Sequence, residues 1–151
     1  MFTSQQVGLV QRSFELIEPI IDDAAVLFYG RLFEIDPSLQ RMFQKPRRGQ
    51  ARLLAQTLTV VVKGIGRPAQ LRGAVEALGR RHAGYGVRDE HYAVVGEALL
   101  WTLEAGLKDK FTPEVRDAWV AAYSWLAFTM QRAAASAQAE ARREDGAVNA
   151  A

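Results

Sequence analysis

The chain is expected to fold as an all-α domain, on three observations. Apolar residues recur three and four apart through every long segment, which places them on one face of a helix. No stretch shows the alternation of period two that a half-buried strand requires. Proline follows a capping-type residue at Asp36-Pro37 and Thr112-Pro113, an arrangement that opens helices.

The elements follow in order. Val7, Val10, Phe14, Ile17 and Ile21 define a first helix of about 15 residues that Pro19 ends or bends. Asp22-Asp23 offer caps to a second, whose stripe runs through Ala25, Phe28, Leu32 and Ile35. Asp36 caps a short helix over 38–43, opened by Pro37 in a new direction, so the chain is not a simple up-and-down bundle. Lys45-Pro46-Arg47-Arg48-Gly49 reads as a polar linker. A fourth helix then carries Leu54, Leu58, Val61 and Ile65 until Gly66-Arg67-Pro68 stops it.

The next helix bears Leu71, Val75, Leu78 and His82, and closes at Ala83-Gly84-Tyr85-Gly86. Asp89 is placed to cap a following helix with Tyr92, Val95, Leu99 and Leu103 on one face. Thr112-Pro113-Glu114 opens the last, which bears Val115, Trp119, Ala122, Leu126 and Met130. Residues 1–136 therefore make one domain. The remainder, 137–151, is alanine-rich and charged without a strong apolar stripe, and is expected to fray or be disordered.

Composition narrows the function classes. With 151 residues, 49% hydrophobic and 24% charged, the chain can bury a real core as an ordinary globular domain. A net charge of +2, from mostly dispersed basic residues, argues against nucleic-acid binding. The absence of cysteine excludes disulfides, thiolate metal sites and covalent c-type haem attachment, and suits a reducing cytoplasm. Met1-Phe2-Thr3-Ser4-Gln5-Gln6 lacks the basic and apolar regions of a signal peptide, and no apolar run approaches the roughly 20 residues that span a bilayer.

His82 is the residue most at odds with its surroundings. It continues an apolar stripe, while Arg72, Arg80 and Arg81 fall on the other side of the same helix. A histidine there needs partners for its ring nitrogens. It is either a core residue bonded to a backbone carbonyl or a metal ligand. A protein-only metal site has little support, because His91 lies nine residues on and no Glu-x-x-His pair exists. A lone ligating histidine fits a metal otherwise coordinated by a cofactor, as in haem. Haem also requires a flat aromatic, an apolar pocket and a polar group on the opposite face. Phe43, Tyr29 and Gln50 are candidates, although each also has an ordinary reading as core, half-buried aromatic or solvated amide.

The order of these residues carries a family resemblance. Phe28-Tyr29-Gly30-Arg31-Leu32-Phe33, then Asp36-Pro37 and Met42-Phe43, are followed by Gly79-Arg80-Arg81-His82, Gly86-Val87, His91-Tyr92, Val95-Gly96-Glu97, Trp119 and Tyr123. Across nearly the whole domain the chain resembles single-domain bacterial haemoglobins and the globin half of flavohaemoglobins. The resemblance implies a globin fold holding haem b, with His82 as proximal iron ligand and Phe43 packed on the porphyrin. It places Gln50 and Tyr29 as the distal polar pair and Leu54 over the haem, with Leu78, Val87, Tyr92 and Val95 lining the proximal side and haem edge. Arg81 lies near a propionate or is simply solvated. His91 is expected at the surface.

Reversible binding of dioxygen, and of nitric oxide and carbon monoxide, is the function this implies. Two distal donors favour tightly held oxygen over carbon monoxide, each bond contributing on the order of 1 kcal/mol. The alternative is a nitric oxide dioxygenase served by a separate reductase, and a third reading is a haem-free globin-like interaction module. The resemblance also exposes a departure. Flavohaemoglobins carry a glutamate that bonds the proximal histidine, and the matching position here is Ala134. The outer N–H of His82 is then expected on a backbone carbonyl near Leu78, which leaves a less basic ligand.

Overall fold

A computed structural model describes residues 2–43 and 47–150. Its six α-helices are α1 (Ser4–Ile17), α2 (Ile21–Ile35), α3 (Arg47–Gly64), α4 (Pro68–Gly84), α5 (Asp89–Leu107) and α6 (Pro113–Ala150). Three short 3₁₀ segments, Glu18–Ile20, Pro37–Met42 and Lys108–Lys110, join some of them. No strand occurs among the described residues.

Local chemistry accounts for the helix ends. Thr3 Oγ1 accepts the Gln6 N–H at 3.1 Å and Gln6 Oε1 accepts the Thr3 N–H at 2.9 Å, a reciprocal cap that starts α1. Pro19 bends the chain instead of breaking it: α1 passes through one 3₁₀ turn directly into α2. Ile21, expected on the first stripe, therefore opens the second helix. Asp22 and Asp23 lie inside the first turn of α2 and do not cap it, because Ile20 already holds the capping position. Their carboxylates still complement the helix N-terminus there. Asp36 Oδ1 accepts both the Ser38 N–H and its hydroxyl, as the Asp36-Pro37 reading requires, and the short turn that follows is 3₁₀ over Pro37–Met42.

Three further expectations are corrected, and the last helix is longer than anticipated. Helix α3 already includes Arg47, Arg48 and Gly49, so the polar linker is shorter than its composition implied; Lys45 and Pro46 lie outside the described residues. The capping position of α5 is Arg88, in extended geometry, and Asp89 is the first helical residue. His91 is buried, not at the surface: its Nδ1 accepts the Arg88 N–H at 2.9 Å, the place a glutamate or glutamine takes in a capping box. Helix α6 runs unbroken past Ala137 to Ala150, where fraying or disorder was expected. Its alanine content supplies the helix propensity that the missing apolar stripe does not.

Burial divides into three clusters. One joins α1, α3, α5 and α6 through Val10, Phe14, Ile17, Val62, Leu103, Ala118 and Trp119. A second gathers Ala25, Phe28, Tyr29, Leu32, Leu39, Ala51 and Ala98 from α2, the Pro37–Met42 turn, α3 and α5. A third joins Val61, Leu71, Val75, Tyr92, Ala127 and Met130 from α3, α4, α5 and α6. Helices α3 and α5 both contribute to all three, so each is a shared wall.

The first cluster contains a polar relay. Trp119 Nε1–H donates to Ser13 Oγ at 2.8 Å, and the Ser13 hydroxyl donates to the Leu9 carbonyl at 2.7 Å, with Ser13 and Trp119 both buried. Removing the hydroxyl strands the indole N–H away from water. Ser13→Ala is accordingly expected to lower stability by about 2 kcal/mol. Urea denaturation reads this as a lower midpoint with an unchanged slope.

Candidate functional site

His82 sits in the last turn of α4, where the sequence closes the helix firmly. The N–H groups of Tyr85, Gly86 and Val87 return to carbonyls of residues 81–83 at 3.1–3.2 Å. Gly86 supplies the left-handed turn with φ of 86°, which an L side chain rarely adopts. The His82 ring is half-buried, with the exposed Tyr85 ring 6.0 Å away. Its Nδ1 lies 2.8 Å from the Leu78 carbonyl, as expected. A carbonyl can only accept, so Nδ1 carries the proton and Nε2 presents a lone pair. No described residue bonds Nε2. Burial pushes the imidazole pKa down, the Leu78 carbonyl opposes that, and the Arg81 charge adds to it. The ring is therefore held neutral.

Tyr29 occupies the second cluster, buried in α2 among aromatic rings. Phe28 and Phe43 approach it edge-on at 5.2 Å, and Phe33 lies at 6.0 Å. Phe33 and Phe43 are themselves 5.6 Å apart. The Tyr29 hydroxyl donates to the main-chain carbonyl of Gln50 at 3.5 Å, a long bond that a better acceptor would displace. Burial pushes its pKa up to about 12, so the hydroxyl remains a donor. Gln50 itself is half-buried at the start of α3. Its link to Tyr29 runs through its backbone, whereas the sequence reading had stressed its amide.

The candidate residues thus fall into two groups. Tyr29, Phe43, Leu54 and Val95 pack in the second cluster. Leu78, Val87 and Tyr92 pack in the third, tied through Leu78 to His82. Tyr123 fixes the lower end of α5 by donating its hydroxyl to the Tyr92 carbonyl, and Gly96 leaves room for the Tyr123 ring. The Tyr92 hydroxyl is kept protonated by burial and by the nearby Asp89 charge. Beside the second cluster lies an apolar cavity of about 30 Å³, walled by Phe28, Leu54, Leu58 and Leu99 among others.

Sequence reasoning passed over Phe33 and Ala51 as site residues. Phe33 lies one turn beyond Tyr29, and that spacing could have found it. No local signal marks Ala51, which is buried only because α2 and α3 meet there.

The donor set suits a planar, apolar, iron-bearing group. One neutral imidazole offers a bare Nε2, and the surrounding aliphatic and aromatic side chains add no competing charge. Among the described residues no three His, Asp or Glu side chains gather as a metal cluster. Ala134 is half-buried, and the partner of the His82 ring is the Leu78 carbonyl. No helix among them is long and apolar enough to cross a membrane.

Because the Tyr29 phenol titrates near 12, it is expected to add no phenolate absorbance below about pH 11. Alkaline titration at the phenolate band should superimpose for the native chain and Tyr29→Phe over that range.

Comparison with known proteins places this geometry in a family. The globin family model matches residues 26–130. The flavohemoprotein of Vibrio cholerae serotype O1 is 34% identical over 131 residues, covering 84% of this chain but 33% of that protein. The chain therefore spans about a third of the length of such flavohemoproteins. The leghemoglobin of Psophocarpus tetragonolobus is 33% identical over 141 residues, covering 87% of this chain and 97% of its own. Among solved structures, an engineered carbene transferase, a putative nitric oxide dioxygenase from Rhodothermus marinus, superposes with a TM-score of 0.85 at 27% identity. It aligns over 94% of this chain and 99% of that one. A shared fold, a family model spanning well over half the residues and relatives above 30% identity lead to one conclusion: the chain belongs to the globin family.

Proposed function

We propose that the chain is a haem b globin that reversibly binds dioxygen and other diatomic gases, with His82 as the iron's protein ligand. The observation that carries this reading is the Nδ1–Leu78 bond, which leaves Nε2 as an unprotonated donor atom that no described residue bonds. Haem bound by His82 would supply an iron able to take a diatomic gas. Phe43 would pack against it, and Leu54, Leu78, Val87, Tyr92 and Val95, which sit in the second and third clusters, would keep water from it. Tyr29 would turn its hydroxyl from the long bond to the Gln50 carbonyl toward the gas. The Gln50 amide is the second donor in this reading. Residues 1–136 carry the site, and the rest of α6 lies beyond it. The absence of cysteine suits a cytoplasmic setting in this reading.

The second reading is nitric oxide dioxygenase activity sustained by an external reductase. The likeness to flavohemoproteins and to a putative nitric oxide dioxygenase favours it. The methyl group of Ala134 opposes it, because the imidazole gains no carboxylate to raise its basicity. Sustained multiple turnover with a cellular reductase establishes it, and a single-turnover reaction does not.

His82→Ala is expected to abolish the histidine-ligated absorption spectrum of the reduced protein; an unchanged spectrum would rule out the assignment. Tyr29→Phe should speed oxygen dissociation about fivefold, the equivalent of a bond worth ~1 kcal/mol. Stopped-flow ligand replacement measures that rate.

A further inference from the structure

Helix α4 crosses α6 at a point where neither helix interposes a side chain. A Cβ built on Gly79 would meet the Met130 carbonyl oxygen at 2.4 Å, its Cα at 2.6 Å and its carbonyl carbon at 2.8 Å. Both residues are buried. The obstacle is backbone, so no rotamer change could relieve it. Among the described residues no other glycine stands against backbone in this way. Gly64, Gly96 and Gly106 face only side chains, and Gly30 and Gly73 face nothing within 4 Å. Glycine inside a helix is less stable than alanine by about 1 kcal/mol, so the residue costs α4 stability that only this close approach offsets.

The place of the crossing gives it a consequence. Gly79 lies within the span Leu78–His82, whose two ends are joined by the Nδ1–carbonyl bond at 2.8 Å. Residues 79 and 82 are three apart and share a helix face. A displacement of the α4 backbone at Gly79 is carried to the imidazole by the helix and by that bond together. Among the described residues no carboxylate bonds the ring, whose hydrogen-bond partner is the Leu78 carbonyl.

We infer that Gly79 is a positioning residue for His82: its missing side chain seats α4 on the α6 backbone at Met130, and that seat sets the depth and tilt of the imidazole. The inference rests on His82 as the haem ligand. To admit a methyl group at ordinary contact distance, α4 must withdraw by roughly 1 Å. The imidazole then moves with it.

The test reads the iron–histidine stretching mode of the reduced, gas-free haem protein by resonance Raman spectroscopy. Gly79→Ala should shift the mode, while Gly73→Ala, on the same helix but facing open space, should leave it in place. A second pair separates positioning from general disturbance. In His82→Gly supplied with free imidazole the ligand is no longer tethered to α4, so adding Gly79→Ala should change nothing. A Gly79→Ala protein with the native mode overturns the inference, and so does an equal shift with the free ligand. If His82→Gly without imidazole keeps the mode, the ligand assignment itself fails, a distinct result. Should Gly79→Ala not fold, a crystal structure of the unaltered haem-loaded chain decides. The backbones of Gly79 and Met130 must remain in contact there, and a gap wide enough for a methyl group overturns the inference.

Discussion

One hydrogen bond governs what this molecule can do. By giving its Nδ1 proton to the Leu78 carbonyl, His82 fixes its tautomer, its ring plane and the direction of its free nitrogen at once. The acceptor lies one helical turn back on the same element, so the bond comes with the helix and needs no partner from elsewhere in the fold. That acceptor is also neutral. An imidazole bonded to a carbonyl is less basic than one bonded to a carboxylate, and the ligand field it offers is weaker. In the proposed role of haem ligand, such a histidine would suit steady coordination more than driving bond cleavage.

The remainder of the architecture protects that arrangement. The left-handed Gly86 and the N–H returns of Tyr85, Gly86 and Val87 stop α4 right behind the histidine, so the ring sits at a fixed helix end. The tyrosine side is organised differently. Four aromatic rings pack on one another, and the lone hydroxyl among them makes only a long bond. Apolar packing there supplies rigidity, while the donor keeps its freedom to turn toward an incoming acceptor.

Much of this was legible because helical periodicity and proline placement are local. The stripes of Val10, Phe14 and Ile17, or of Leu71, Val75 and Leu78, specify which face is buried without knowledge of any partner. The bond from His82 to Leu78 was legible as well, since it lies within one turn. Misread features depend on backbone geometry that composition does not encode. Asp22 and Asp89 have capping chemistry, yet Ile20 and Arg88 hold the capping positions. His91, expected at the surface, is buried with its Nδ1 accepting a neighbouring N–H. Gly79 was least legible, because its meaning lies in a helix fifty residues away.

The shared wall formed by α5 sets how length changes in the chain are tolerated. Tyr92 faces one half of the site and Val95 the other, three positions apart on one continuous helix. Insertions in the connecting turns can be absorbed at the surface. Loss of a single residue between those two would swing everything after it by about 100°, turning Val95 and Ala98 off their cluster. Changes in length are therefore tolerable in the connecting turns and not within this stretch of α5, which keeps the spacing between the two clusters fixed.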